Sequence, residues 1–224
     1  MPTPSREEIT AQLAAQRVLP LFNCGDAATG MAVLEAVHAG GIRLVEFTNR
    51  AAGAVDVFRT LVAEAARRLP EVVLGAGTII DRGQAEAFHA AGARFLVAPN
   101  LDEEVGGYCN AHGLFWCPGT ATVTEMVRAH RLGAAVIKVF PADTLGGPAF
   151  IKAVRGPCGW LKLMPSGGVM PDEANLRAWF DAGAHCVGMG SHLVDPKRLA
   201  GGGDEGRREL ADRTRRLVAL LATL

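Results

Sequence analysis

Short apolar runs alternate along the chain with longer amphipathic stretches. Runs rich in Val, Leu, Ile and Phe that are bounded by Gly, Pro or Asn predict buried strands. Eight strands are predicted, at Val18–Asn23, Leu44–Asn49, Val72–Thr78, Phe95–Asn100, Leu114–Gly119, Ala135–Pro141, Leu161–Gly168 and His185–Ser191. Their starts lie 19 to 28 residues apart, which leaves room for one strand, one loop and one helix in each unit.

The segments between these strands place apolar residues at helical spacing, as in 54–69, 82–91 and 172–181. Three of them end in an Ala-Gly pair, where the glycines Gly40, Gly92 and Gly183 are expected to take the left-handed conformation that closes a helix. Alternating helices and fully apolar strands predict an α/β fold with a parallel sheet. Eight such units in 224 residues predict one (β/α)8 TIM barrel.

An additional helix is predicted before the barrel, within residues 1–17. Ser5 and Glu8 have the spacing of a capping box, in which each residue satisfies a backbone N–H of the other. Ile9 and Leu13 then fall on one face of this helix and are available for packing.

The tail of the chain predicts a C-terminal helix over residues 203–224. A short glycine run at 201–203 predicts a flexible joint in front of it. No linker or low-complexity segment separates two folding units. We therefore expect residues 1–224 to form one domain, with the barrel core at 18–191.

Composition excludes several classes of protein. The 23 basic and 23 acidic residues give a formal net charge of zero, which argues against a nucleic-acid or anionic-membrane partner. No apolar run is long enough for a transmembrane helix, and the start lacks a signal-peptide pattern. The five cysteines are widely spaced without a CxxC pair, which favours a reducing cytoplasm. Cys109 and His112 have no neighbouring partner cluster, so no metal site is expected.

Lysine is scarce, with four lysines against nineteen arginines. Lys138 lies towards the end of the sixth predicted strand, where burial would favour the neutral amine. A neutral amine can form a Schiff base with a ketone; an ion-paired structural lysine is the alternative. Lys162 lies about 13 Å below the strand ends at about 3.3 Å per residue, and we expect it to be structural. Lys152 and Lys197 are expected in solvent.

The second predicted strand carries a carboxylate among apolar residues. Because side chains alternate across a strand, Glu46 and Arg50 share one face, while Val45 and Phe47 share the other. The apolar pair suits packing against helices, which turns Glu46 into the barrel. A buried carboxylate needs a cationic partner or a role in proton transfer. With a nearby amine such as Lys138, Glu46 would complete an imine mechanism, in which the amine attacks the ketone and the carboxyl group transfers protons.

Further candidate binding residues lie at the ends of other strands. Thr78 could hydrogen-bond a substrate carboxylate beside Arg50, although a turn or helix-capping role fits Thr78 equally well. Gly75–Thr78 lacks the spacing of a dinucleotide-binding motif. Glycines that end the seventh and eighth predicted strands stand where barrels commonly bind phosphate through backbone N–H groups.

Taken together, these motifs resemble the 2-keto-3-deoxy-6-phosphogluconate (KDPG) / 4-hydroxy-2-oxoglutarate (KHG) aldolase family. The resemblance covers residues 18–191. The matching segments are Leu44–Arg50, Gly75–Thr78, Cys117–Glu125, Ile137–Ala142, Pro165–Gly168 and Gly188–Ser191.

The resemblance implies a class I aldolase that uses a Schiff-base lysine, needs no metal or other cofactor and assembles as a homotrimer. By motif, Lys138 is the Schiff-base lysine and Glu46 the acid/base. The implied binding residues are Arg50, Thr78 and Pro99 for the substrate carboxylate, Ser166 for the substrate hydroxyls and aldehyde, and Gly167, Gly168, Gly190 and Ser191 for phosphate. Many members have threonine where Ser166 stands, which leaves the stereochemical preference open.

The implied reaction is cleavage of KDPG to pyruvate and glyceraldehyde 3-phosphate. Cleavage of KHG to pyruvate and glyoxylate and cleavage of the 6-phosphogalactonate stereoisomer remain open alternatives. A barrel epimerase or synthase would need a metal or diphosphate site, and neither is found in the sequence. A barrel that only binds a sugar-acid phosphate would not need Lys138 and Glu46 together.

Overall fold

A computed structural model describes residues 4–199 and 204–224, so the predicted glycine joint and residue 203 lie outside the described residues. The helices are α1 Arg6–Gln16, α2 Ala27–Ala39, α3 Ala54–Arg68, α4 Arg82–Ala90, α5 Glu103–Ala111, α6 Val123–Arg131, α7 Gly147–Arg155, α8 Glu173–Asp181 and α9 Asp204–Leu221. The strands are β1 Val18–Phe22, β2 Leu44–Thr48, β3 Val73–Gly77, β4 Phe95–Val97, β5 Phe115–Cys117, β6 Gly119–Thr120, β7 Ile137–Val139, β8 Leu163–Pro165 and β9 Val187–Met189. The predicted alternation of strands and helices is confirmed.

All the strand pairs are parallel, as predicted, but they form two sheets. One curled sheet has the order β5-β4-β3-β2-β1-β9 and the other the order β6-β7-β8. The single continuous fifth strand expected from the sequence is wrong, because Pro118 separates β5 from β6. Proline has no backbone N–H to donate to a strand ladder. An isolated bridge between Ser166 and Gly188 links the residue that follows β8 to the middle residue of β9.

Two apolar clusters lie on opposite faces of the strands. An outer cluster packs the strands against the helices and includes Val45 and Phe47; the Phe47 ring lies 5.9 Å from that of Phe58 on α3. An inner cluster collects the alternate strand residues, among them Leu44. The predicted assignment of Val45 and Phe47 to the helical side is therefore confirmed.

Helix α1 packs against the inner cluster. Ile9 and Leu13 are almost fully buried in that cluster. The predicted capping box is present: the Glu8 N–H donates to Ser5 Oγ at 3.1 Å, and the Ser5 N–H donates to Glu8 Oε2 at 2.7 Å. The described part of the chain contains no helix that is both long and apolar enough to cross a membrane.

The glycines expected to close helices behave as predicted at Gly92 and Gly183, with φ of 103° and 96°. The expectation for Gly40 is wrong, because Gly40 has φ −80° and the left-handed residue is Gly41. Gly40 has a packing role instead. A Cβ at this position would lie 2.4 Å from Cβ of Thr214 on α9, so a glycine allows α9 to approach α2.

Candidate active site

Lys138 lies in the middle of β7, and its side chain is only 5% exposed. Its neighbours Ile137 and Val139 belong to the outer cluster, so Lys138 points to the opposite, inner face of the strand. Its backbone is held on the β6 side: the Lys138 N–H donates to the Pro118 carbonyl at 2.9 Å, and Thr120 Oγ1 donates to the Lys138 carbonyl at 3.0 Å. Lys138 is therefore a buried amine on a fixed strand.

The other three lysines have different surroundings. Lys162 is exposed and directly precedes β8, while Lys152 and Lys197 are also exposed. The structure thus agrees with the expectation that these lysines lie in solvent or near the start of a strand.

Glu46 is 1% exposed, and no described residue donates a hydrogen bond to either of its carboxylate oxygens. Burial raises the pKa of Glu46, while the positive charges of Lys138 and then of Arg50 act in the opposite direction. Lys138 is thus near enough to act on Glu46 electrostatically, but no hydrogen bond joins the two side chains among the described residues. A carboxyl group with a raised pKa and a free oxygen can both accept and donate a proton.

Arg50, Thr78 and Pro99 follow β2, β3 and β4 at their carboxyl ends. Arg50 is exposed, whereas Thr78 and Pro99 are half-buried. Thr78 has φ 60°, which is a rare backbone conformation for a β-branched residue. Since neighbouring parallel strands end at the same edge, these three residues lie along one edge of the six-stranded sheet.

A cavity of about 370 Å³ opens beside these strand ends. Its walls include Pro99, Thr120 and Phe140. The Phe140 ring lies 5.0 Å from Nζ of Lys138, although Lys138 itself does not line this cavity. Neither Thr120 nor Phe140 is predicted as a site residue from the sequence, although they lie in the quoted segments Cys117–Glu125 and Ile137–Ala142.

The predicted phosphate-binding residues end β8 and β9. Gly167 and Gly168 have φ of 101° and 70°, a conformation that side chains rarely adopt. Ser166 is buried and bridges to Gly188, which makes the two glycine loops neighbours; Gly190 is half-buried and Ser191 is exposed.

An acidic residue that the sequence analysis missed packs on one of these loops. A Cβ on Gly167 would lie 2.9 Å from Oδ1 of Asp143, and a Cβ on Gly168 would lie 2.4 Å from Cβ of Asp143. Asp143 is exposed in the segment between β7 and α7. Its carboxylate therefore stands beside the glycine pair that the resemblance assigns to phosphate.

Cys109 and His112 do not come together as metal ligands. Cys109 is buried, whereas the His112 ring is exposed and stacks on Tyr108 at 4.1 Å. Within the residues that the structure describes, no three His, Cys, Asp or Glu side chains are grouped to hold a metal ion.

A parallel α/β fold that brings a buried amine and a buried carboxylate together below open strand ends defines an enzyme suited to carbonyl chemistry. The family model described as KDPG and KHG aldolase matches residues 9–205. The chain belongs to this family and is an aldolase, that is, a carbon–carbon lyase. The resemblance derived from the sequence motifs is therefore confirmed.

Individual relatives give the same result. The chain is 32% identical over 206 residues to a 2-dehydro-3-deoxy-phosphogluconate aldolase of Treponema pallidum, covering 92% of this chain and 95% of the relative. It is 34% identical over 169 residues to the KHG/KDPG aldolase of Escherichia coli K12, covering 75% and 76%. A solved KDPG aldolase of Legionella pneumophila, with pyruvate captured as a covalent carbinolamine, superposes with a TM-score of 0.77 at 28% identity, covering 94% and 97%.

Proposed function

We propose that this aldolase cleaves KDPG reversibly to pyruvate and glyceraldehyde 3-phosphate through a Schiff base on Lys138. The observation that carries the proposal is the burial of the Lys138 amine on the same inner face as the unpaired Glu46 carboxylate. The Lys138 nitrogen attacks the C2 ketone, and loss of water gives the imine. Glu46 moves the protons of these steps.

The protonated imine then accepts the electron pair of the C3–C4 bond while the C4 hydroxyl loses its proton to a base. This step releases glyceraldehyde 3-phosphate and leaves an enamine on Lys138. Protonation at C3 and hydrolysis of the imine release pyruvate and restore the free amine. Glu46 is the group within the inner face whose raised pKa suits it to both directions of transfer.

The binding roles are proposed from position. Arg50 and Thr78, with Pro99 beside them, would hold the pyruvate carboxylate at the ends of β2, β3 and β4. Ser166 at the end of β8 would face the substrate hydroxyls and the aldehyde. The phosphate would bind to backbone N–H groups of the neighbouring loops at Gly167, Gly168, Gly190 and Ser191.

A second candidate reaction is the cleavage of unphosphorylated KHG to pyruvate and glyoxylate. The Asp143 carboxylate beside Gly167 and Gly168 favours it, because a negative charge at this position opposes a phosphate dianion. The name of the Escherichia coli relative includes both substrates. Comparison of kcat/KM for KDPG, its C4 epimer and KHG decides between the candidates.

We also propose that the two sheets close into one (β/α)8 barrel over residues 18–191, within a single domain of residues 1–224. Two links between the sheets support closure. Pro118 alone separates β5 of one sheet from β6 of the other, and the Ser166–Gly188 bridge connects β8 to β9.

From the family resemblance, we propose a homotrimer in the cytoplasm whose partners are small sugar acids. Light scattering after size-exclusion chromatography tests the oligomeric state.

The decisive experiment is borohydride reduction in the presence of pyruvate, followed by peptide mass spectrometry. We expect one stable adduct on the peptide that contains Lys138 and none in a Lys138→Arg variant. A Lys162→Arg variant is the matched control, because Lys162 is also near a strand and should leave trapping unchanged. An adduct on Lys162, or none with folded protein and excess pyruvate, would refute the proposal.

A further inference from the structure

Strand β3 lies beside β2, and its glycines meet inward-facing side chains. Gly75 pairs with Glu46 in the strand register, and Gly77 follows two residues later on the same face. A Cβ on Gly77 would stand 1.7 Å from Oε1 and 2.4 Å from Cδ of Glu46. The Glu46 carboxyl group therefore occupies the volume that any side chain at position 77 would fill.

The neighbouring glycine makes room for a different group. A Cβ on Gly75 would lie 2.2 Å from atoms of the Phe95 ring, which belongs to the inner apolar cluster. The two glycines of the Gly75–Thr78 motif thus have separate purposes: one admits an aromatic ring and the other admits a carboxyl group.

We infer that Gly77 is a positioning residue, because its missing side chain forms the slot that seats the Glu46 carboxyl group. The inference rests on the proposed proton-transfer role of Glu46. No hydrogen bond from a described residue holds this carboxyl group, so its place is set by shape and by the nearby positive charges. The slot lets the carboxyl group lie over β3 at Gly77 while it stays buried and within electrostatic reach of Lys138.

The effect of a methyl group at this position follows from the distance. Real Cβ atoms essentially never approach another heavy atom within 3.0 Å. In a Gly77→Ala variant Oε1 must therefore retreat by at least 1.3 Å, the difference between that limit and 1.7 Å. Misplacement of a catalytic group by about 1 Å lowers the rate by roughly a hundredfold.

Two kinetic readouts separate this role from simple loss of stability. We expect Gly77→Ala to lower kcat by roughly a hundredfold, with a much smaller change in KM for the carboxylate-bound substrate. The acidic limb of the pH profile should move to lower pH, because burial in the slot is the main cause that raises the pKa of Glu46. A displaced, more hydrated carboxyl group would titrate nearer its ordinary value.

Gly75→Ala is the matched control, since it places the same methyl group on the same face of the same strand. Its new methyl group meets Phe95 instead of Glu46. We expect Gly75→Ala to lower the melting temperature while leaving the acidic limb of the pH profile in place. An equal shift of that limb in both variants would overturn the inference.

A compensating substitution provides the second test. Glu46→Asp shortens the side chain by one methylene and empties the slot, so Gly77→Ala should cost less than about tenfold in kcat in that background. An undiminished hundredfold loss there would overturn the inference. If Gly77→Ala alone does not fold, recovery of folding in the double variant supports the inference and failure of recovery overturns it.

Glu46→Gln, measured in parallel, separates this inference from the proposed function. Wild-type kcat in Glu46→Gln would refute the proton-transfer role and, with it, the purpose of the slot. A strongly impaired Glu46→Gln together with a Gly77→Ala that behaves like Gly75→Ala would refute only the role of Gly77.

Discussion

Thr78 combines a strained backbone with a proposed binding role, and the two can be separated by substitution. Its φ of 60° lies in the left-handed region, which costs a residue with a Cβ roughly 1–2 kcal/mol. Thr78 directly follows β3, where its hydroxyl is proposed to hold the substrate carboxylate. Strain of this kind persists where the surrounding structure or the function requires it. We therefore expect a glycine at this position to relieve the strain, whereas any substitution that removes the hydroxyl lowers activity.

The comparison uses Thr78→Ala and Thr78→Gly, since both remove the hydroxyl and only the second removes Cβ. Where the backbone conformation is an ordinary one, a protein with glycine has a free energy of unfolding about 0.4–1 kcal/mol lower than one with alanine, because glycine gives the unfolded chain more conformational freedom. At Thr78 the relief of about 1–2 kcal/mol exceeds that term. The glycine variant should thus have the larger free energy of unfolding, by about 0.5–1 kcal/mol.

Activity should not distinguish these two variants. A hydrogen bond to a charged group contributes about 1.5–3 kcal/mol, so both should raise KM about ten- to hundredfold. Thr78→Ser keeps the hydroxyl and serves as the control, with KM near that of the wild type. Urea unfolding and steady-state kinetics on the same preparations give both quantities. Thr78→Ala as stable as Thr78→Gly would refute the strain, and an unchanged KM in both would refute the binding role.

Three further predictions concern the interior. Leu13→Ala should lower the free energy of unfolding by about 2–5 kcal/mol, because Leu13 is buried in the inner cluster; a loss below about 1 kcal/mol in urea would contradict that packing. Burial raises the pKa of Glu46 in the folded protein. The protonated form therefore stabilises the folded state, with its full contribution at pH values below the unfolded pKa of about 4.3. This contribution is lost as the pH rises through the folded pKa. The stability of the wild type relative to Glu46→Gln should fall from pH 4 to pH 8, and a constant difference would refute the assignment. Burial also raises the pKa of Cys24 to about 11 and those of Cys109 and Cys186 to about 12; these thiols should react with a disulfide reagent at pH 8 only after unfolding, and rapid labelling of the native protein would show that the burial is wrong.

The direction in which each strand residue points was predictable, because successive side chains of a strand face opposite sides of the sheet. Val45 and Phe47 must face helices if the strand is covered on that side, so Leu44 and Glu46 must face the interior. The same rule places Lys138 between two residues of the outer cluster. Alternation alone thus predicts the inner-facing position of each of these two residues.

Other features depend on contacts between distant parts of the chain. Gly40 is right-handed and packs against Thr214 on α9, while Gly41 is the left-handed residue, and this packing joins segments far apart in the sequence. Asp143 and Gly167 are 24 positions apart in the sequence. No local sequence pattern predicts that the Asp143 carboxylate packs on Gly167. The division of the fifth strand could have been predicted, because Pro118 lies inside the predicted strand Leu114–Gly119. The run of apolar residues before Pro118 favoured one continuous strand instead.

Stability and chemistry are separated along the strands. On the side of the strand starts, α1 packs Ile9 and Leu13 into the inner cluster and begins with a satisfied capping box. Towards the strand ends, Glu46 lacks a hydrogen-bond donor and Thr78 is held in a left-handed conformation. Each of the latter two features costs stability, and an apolar or glycine residue would relieve it. Their occurrence on the neighbouring strands β2 and β3, beside a buried lysine, is expected if this end of the sheet is shaped by the reaction and the opposite end by folding.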